Sequence, residues 1–304
     1  MRPTANVLYL PGTNCQAETL RAFKRAGADA SLVFLSDVMS GAARLDGADI
    51  LCIPGGFSFG DHLGAGAIAG LLLRTKLADQ FQNCWDRPLI GICNGFQIAL
   101  RAGCFGPGIA LMTNSDGTFR NRPDQSHVVN SMNESPWLSG LGGHTLEFPC
   151  AHGEGRLVYE NTGMAIQWKV ALRYPDDANP DGSMDNIAGL TSRNGLLFGL
   201  MNHPERARDP ADRMVFFENG VRAAAGLAAD HLGRPQHTEC PGSVLVTSAL
   251  LGLAGSPRLG RGDSAEWDTN EGTTPSCPNG GMNDVVSLQC QAASNRADSV
   301  GDPT

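Results

Sequence analysis

The chain has 304 residues, with 23 basic and 31 acidic side chains and a net charge of −8. Its lysines are Lys24, Lys76 and Lys169, and no basic cluster is present, which argues against a nucleic-acid or anionic-membrane surface. The nine cysteines lie far apart without a C-x-x-C pair, so neither a disulfide framework nor a zinc site is indicated and no metal is expected.

The N-terminus runs from Met1-Arg2-Pro3 straight into a strand, without the apolar stretch of a signal peptide. No apolar run approaches the ~20 residues of a membrane span. A soluble, reducing, cytoplasmic setting is the expectation. Asn6 to Leu10 reads as a short strand ending at Pro11-Gly12-Thr13-Asn14, a turn with Asn14 as helix cap. Leu20, Phe23 and Ala26 give Cys15 to Ala26 helical spacing, closed by Gly27. Ala30 to Leu35 and Ile50 to Ile53 are the next strands, and strand, helix, strand at this spacing predicts a parallel α/β sheet. The third strand enters Pro54-Gly55-Gly56-Phe57-Ser58-Phe59-Gly60-Asp61. This loop matches neither phosphate-binding glycine pattern and no lysine follows, so nucleotide binding is disfavoured there. Gly55 and Gly56 read instead as backbone groups facing the end of a neighbouring strand. Gly66 to Leu77 then looks helical.

The central stretch is Leu89-Ile90-Gly91-Ile92-Cys93-Asn94-Gly95-Phe96-Gln97. A buried strand meets a helix at one cysteine framed by glycines, the G-x-S-x-G nucleophile elbow with sulfur in place of oxygen. So sharp a turn strains the nucleophile's backbone and leaves no room for neighbouring Cβ atoms. It also sets Cys93 at the positive end of the next helix, which favours thiolate, and aims the Asn94 N–H at an oxyanion formed above the sulfur. A buried structural cysteine is the bland alternative.

Residues 112 to 172 hold extended stretches at His127–Asn130, Thr145–Phe148 and Leu157–Tyr159, an antiparallel excursion on the sheet. Within it, His152-Gly153-Glu154-Gly155-Arg156 taken alone reads as a solvated turn, and Cys150 with His152 is too small a set for a metal. Asn179-Pro180-Asp181-Gly182-Ser183 is a turn, followed by hairpin strands Ile187–Thr191 and Leu196–Met201. The second strand leads into His203-Pro204-Glu205. In an extended segment residues two apart share a side, so Glu205 can hold the His203 imidazole in one tautomer. With Cys93 this makes a Cys–His–carboxylate triad. Asp209 to Ala225 reads as a closing helix with Phe216, Phe217 and Val221 on its apolar face. Residues 227–304 lack Phe, Tyr and Lys and are rich in Gly, Pro, Ser, Asn and Thr, which predicts a low-order tail after a 1–226 domain. Val244–Leu253 is its only apolar run, and docking on a partner through that run is an alternative.

Pro54-Gly55-Gly56, Gly91-Ile92-Cys93-Asn94-Gly95-Phe96-Gln97 and His203-Pro204-Glu205 together resemble the class I (triad) glutamine amidotransferases. Gly12-Thr13-Asn14-Cys15, Ala65-Gly66-Ala67-Ile68-Ala69, His152 through Arg156 and Asn179 through Ser183 narrow the resemblance to the small, separate glutaminase subunits of phosphoribosylformylglycinamidine synthase. The resemblance covers residues 1 to about 226. It implies a flavodoxin-like α/β fold, mostly parallel and flanked by helices. It also implies that Cys93 attacks the glutamine amide, that Gly56 and Asn94 N–H groups hold the oxyanion, and that His203 and Glu205 move the proton. Gly55 and Gln97 would lie at the glutamine site. Ammonia would pass to a synthetase partner that uses formylglycinamide ribonucleotide in purine biosynthesis and works with a small accessory subunit. No cofactor is implied in this chain, and ATP and magnesium would sit on the synthetase.

Four positions depart from the family pattern: Gly64 in place of arginine, Asn202 in place of proline, Asn121 in place of cysteine and Gln16 in place of an acid. None removes a triad residue, and the first bears on coupling to the partner. A cysteine hydrolase of the same architecture and a non-enzymatic module with a relic triad are the competing readings. Gln97 and the His203-Pro204-Glu205 string disfavour the former, and the intact triad disfavours the latter.

Overall fold

Elements begin where the sequence places apolar runs between glycine, proline and asparagine turns. The computed structural model of the chain describes residues 1–160 and 165–233, all within one compact unit. Strands β1 (Thr4–Tyr9), β2 (Asp29–Phe34), β3 (Ile50–Ile53) and β4 (Leu89–Ile92) alternate with helices α1 (Gln16–Arg25), α2 (Leu35–Ser40), α3 (Ala67–Thr75) and α4 (Ala78–Gln82). Helix α5 (Asn94–Arg101) follows β4 directly. The remaining strands are β5 (Ile109–Met112), β6 (Arg120–Val129), β7 (Thr145–His152), β8 (Arg156–Tyr159), β9 (Trp168–Arg173), β10 (Ile187–Ser192) and β11 (Leu197–Leu200), and α6 (Pro210–Gly233) closes the fold.

Among the described residues nine strands form one mixed sheet in the order β2-β1-β3-β4-β11-β10-β9-β6-β7, and β5 pairs with β8 separately. From β2 to β11 the pairings are parallel, as the alternation of strand and helix requires. From β11 to β7 they are antiparallel, so the expected hairpin and the first two stretches of the expected excursion extend the same sheet, while its third stretch, β8, pairs with β5 apart from it. Strands β3 and β4 are buried along their whole length, which explains their unbroken apolar runs. Helix α6 packs its phenylalanines into this core. Phe217 meets Phe23 of α1 edge-on at 4.9 Å, and Phe216 lies against Phe148 and Phe198.

Two local expectations are corrected. Asn14 does not cap α1: Cys15 occupies the N-cap, and the Asn14 side-chain oxygen instead accepts from the Cys15 thiol. The backbone N–H groups of Asn14 and Cys15 both donate to the Gly55 carbonyl, which ties this turn to the loop after β3. The boundary at 226 falls inside a helix, because α6 runs through Gly226 to Gly233. Leu227, Ala228 and Ala229 are good helix formers and carry it past the glycine. The low-order tail and its apolar run lie, from residue 234 onward, outside the described residues. No helix among those described is long and apolar enough to cross a membrane.

Candidate active site

Strands β4 and β11 are parallel neighbours, with Ile92 opposite Leu200, so their C-terminal ends deliver Cys93 and the segment before His203 to one place. The Cys93 N–H donates to the Leu200 carbonyl at 2.8 Å. Beyond it the chain turns sharply: Cys93 has φ 52° and ψ −109°, a conformation that L residues rarely adopt. Both framing glycines are there for close approach. A Cβ on Gly95 would stand 1.8 Å from the Ile53 carbonyl oxygen, and one on Gly91 would stand 2.7 Å from the Gly95 carbonyl oxygen. Strain at Cys93 is therefore held by backbone packed against backbone. The first N–H groups of α5, starting at Asn94, have no carbonyl within the helix to bond and add to its positive end beside the sulfur.

His203 Nδ1 lies 2.7 Å from Glu205 Oε1, and both side chains are buried. The pair forms as expected, though by a different backbone: Pro204–Arg206 is a single 3₁₀ turn and not an extended segment. The fixed φ of Pro204 suits the first position of such a turn, which folds the carboxylate back onto the ring. The His203 N–H is anchored on the Pro149 carbonyl of β7 at 2.9 Å. Burial alone would drive the His203 ring toward its neutral form. The charges of Glu205 and Cys93, with hydrogen bonds to Cys15 and Cys93, overturn this and hold its pKa well above the ordinary imidazole value.

Cys93 opens into a pocket of about 120 Å³, lined also by Gly56, Phe57, Asp61, Gln97, Phe119 and the strand-to-turn segment Ala151–Glu154. Gly56 thus shares this pocket with Cys93, and Gly55 lies behind it. A Cβ on Gly55 would meet His203 Cε1 at 2.8 Å, Cys15 Sγ at 2.9 Å and Cys93 Cβ at 3.4 Å. The Gln97 amide bridges two walls: its nitrogen donates to the Glu154 carbonyl at 2.8 Å, and its oxygen accepts from the Asn94 side chain at 2.9 Å. The Asn94 oxygen in turn accepts from the Ser58 N–H at 3.0 Å, fastening the glycine-rich loop to the elbow.

Sequence reasoning leaves several of these neighbours unassigned. Asp61 and Glu154 bring two carboxylates to the pocket, and burial followed by the Glu154 charge raises the Asp61 pKa to about 6. The Glu154 carboxylate accepts from the Ala65 N–H at 3.2 Å, and His152, Gly153 and Glu154 form a pocket wall and not a solvated turn. His152 is buried, 3.1 Å from the Cys150 sulfur and 3.8 Å from the buried Asp181 carboxylate. Asp181 accepts from the Ser183 hydroxyl at 2.6 Å, and its contact with His152 brings the Asn179–Ser183 turn against this wall. Asn202, one residue before His203, is fully buried and accepts from the Tyr174 hydroxyl at 2.9 Å, so a hydrogen bond steadies this position. Gly64 has φ 100°, where a side chain would be strained.

Burial lowers the pKa of His127 to about 4 and that of His152 to about 3, the opposite direction to His203. Nitrogen-15 spectra of the imidazoles at pH 5 are therefore expected to show His127 and His152 neutral and His203 doubly protonated. Raising the pH to 7.5 should leave the first two unchanged and His203 still charged. A neutral His203 at pH 5 would contradict the assigned electrostatics.

Comparison with known proteins gives the family. Residues 2–219 match the CobB/CobQ-like glutamine amidotransferase domain family. The chain is 43% identical over 206 residues to phosphoribosylformylglycinamidine synthase subunit PurQ of Pyrobaculum aerophilum, covering 67% of this chain and 88% of that one. It is 39% identical over 213 residues to the subunit PurQ of Cereibacter sphaeroides, covering 68% and 90%. Among solved structures, PurLQS from Thermotoga maritima aligns with a TM-score of 0.62 at 32% identity, over 75% of this chain and all of the matched chain. A Thermoplasma acidophilum protein named for GMP synthase, 18% identical with a TM-score of 0.53 over 76% of this chain and 98% of that one, shares the fold. The chain belongs to the CobB/CobQ-like glutamine amidotransferases and, within them, to the family of the phosphoribosylformylglycinamidine synthase PurQ subunits.

Proposed function

We propose that this protein is the glutaminase subunit of a phosphoribosylformylglycinamidine synthase, with Cys93 as nucleophile and His203 and Glu205 completing the triad. The observation that carries it is the strained Cys93 elbow beside a buried His203–Glu205 pair at 2.7 Å. The Cys93 thiolate attacks the side-chain carbonyl carbon of glutamine, and the carbonyl oxygen becomes an oxyanion held by the Gly56 and Asn94 N–H groups. As the C–N bond breaks, the protonated His203 gives its proton to the departing nitrogen, which leaves as ammonia. A water molecule, deprotonated by His203, then opens the glutamyl thioester, releasing glutamate and restoring the thiol. Glu205 fixes the ring and stabilises its positive charge throughout. Gly55 and Gln97 shape the glutamine pocket, Gln97 by locking the Glu154 segment to the elbow helix.

Ammonia then passes to a synthetase partner, which carries the ATP and magnesium and works with a small accessory subunit. There it converts formylglycinamide ribonucleotide to formylglycinamidine ribonucleotide. Reconstitution tests the assignment. With the synthetase and its accessory partner, ATP and formylglycinamide ribonucleotide, glutamine should support product formation by the wild type. The Cys93→Ala complex should respond only to added ammonium salt. A Cys93→Ala complex that still uses glutamine would refute the nucleophile, and a wild-type complex that uses neither nitrogen source would refute the partner.

A further inference from the structure

We propose that Cys15, His203 and Glu205 form a binding site for a thiophilic divalent cation, zinc foremost, whose occupancy switches the glutaminase off. The proposal rests on the catalytic reading of His203 given above, and its binding arm does not depend on activity.

Cys15 stands beside the Nδ1 edge of the histidine. Its sulfur lies 3.8 Å from His203 Nδ1, the nitrogen that Glu205 holds. One donor atom from each of the three residues falls within 4.8 Å of the others, giving a sulfur, a nitrogen and an oxygen. Zinc prefers this mixture, and ligands at its usual bond lengths stand roughly 3.5 Å apart in a tetrahedron. The 3.8 Å sulfur–nitrogen separation already fits that spacing, while the 2.7 Å nitrogen–oxygen contact has to open slightly. A second observation points to a ligand: Glu205 Oε2 is buried and has no hydrogen-bond partner. An orphaned carboxylate oxygen in a dry site carries an unmet desolvation cost, which a cation removes.

The charges also close. A Cys15 thiolate and the Glu205 carboxylate together balance a divalent ion, and the nearby Arg206 guanidinium is committed to Glu18 at 2.6 Å. Backbone bonds to the Gly55 carbonyl hold the Cys15 turn in place, so the sulfur is pre-positioned. On binding, the cation replaces the Cys15 thiol proton and the Nδ1 proton, both of which go to solvent, and a water fills the fourth position. Nothing is oxidised or reduced. The consequence for catalysis follows from the ring. A free imidazolium gives up its Nε2 proton and becomes neutral imidazole. A ring metallated at Nδ1 could give up that proton only by becoming imidazolate, so it no longer serves as the acid for departing ammonia. Because all three residues are at most 3% exposed, inhibition should develop over time as the turn opens.

Cobalt, a spectroscopic substitute for zinc, reads the site directly. Full-length Cys93→Ala protein titrated with Co²⁺ should show a thiolate-to-cobalt charge-transfer band, one equivalent of which disappears when Cys15→Ala or Cys15→Ser is added. Cys150→Ala should leave that equivalent in place. In parallel, Zn²⁺ should inhibit glutamate release by the wild type reversibly to EDTA. The zinc concentration for half-inhibition, measured against each variant's own uninhibited rate, should rise at least about tenfold in Cys15→Ser, since loss of even an outer ligand partner costs that much. A cobalt band indifferent to Cys15, or equal zinc sensitivity in both proteins, would overturn the proposal. Absence of glutamate release from every protein would refute the catalytic reading instead, and the cobalt arm would still decide the site.

Discussion

Replacing His203 by alanine is expected to lower glutamine hydrolysis by about a thousandfold or more while leaving the fold intact. The ring is asked to do two things that no neighbour can take over. In the proposed mechanism it carries the positive charge that faces the Cys93 sulfur, and it delivers a proton to the leaving nitrogen. Its pKa is held well above the ordinary value by Glu205 and Cys93 in spite of burial, so the protonated form is ready at neutral pH. Glu205→Gln should produce a smaller loss, together with a fall in that pKa, because the amide still orients the ring but no longer balances its charge. Steady-state glutamate release, with circular dichroism to verify folding, checks both. A His203→Ala protein within tenfold of wild type would mean that another base serves Cys93.

The second large effect is structural. Gly95→Ala should destabilise the protein by more than about 4 kcal/mol or prevent its folding, well beyond the common range for point changes. The added Cβ would lie 1.8 Å from the Ile53 carbonyl oxygen, a backbone atom in the fully buried strand β3. Neither partner can move without parting β3 from the elbow, so the usual relief by rotamer change is closed. Gly226→Ala is the matched control. It sits in α6 with nothing within 4 Å of the new methyl, and should be neutral or stabilising by up to about 1 kcal/mol. Urea unfolding midpoints of the two variants separate a steric effect from a general intolerance of alanine.

The parts of the site legible in the sequence are those whose geometry is local. Cys93 announces itself because a strand-to-helix elbow needs glycine on both sides within a few residues. His203 and Glu205 do so because one proline and one turn bring them together. Their backbone is 3₁₀ where spacing suggests an extended segment, yet residues two apart meet in both. Asp61, Glu154 and Cys15 are not legible as neighbours of the triad. Cys15 and Asp61 reach it from the loops after β1 and β3, which the sheet order β1-β3-β4-β11 sets beside the elbow, while Glu154 arrives after β7, the last strand of the sheet. His152 reads as part of a solvated turn because His-Gly-Glu-Gly-Arg is polar throughout. Its burial depends on Asp181 and Asn114, residues far away in the chain. The start of β6 is hidden for a local reason. Pro123 interrupts it, and its register with β7 shifts between Arg122 and Gln125, where a proline without an N–H does least harm.

The central claim is that the Cys93 sulfur carries the glutamyl group. Rapid acid quench of the assembled enzyme turning over glutamine, followed by peptide mass spectrometry, tests it most directly. The account predicts a glutamyl thioester on the peptide containing Cys93, absent from the Cys93→Ala enzyme and accumulating when His203 is replaced by a residue that cannot activate water but still permits acylation. A thioester on Cys15 or Cys150, or steady glutamate release from enzyme lacking Cys93, would contradict it.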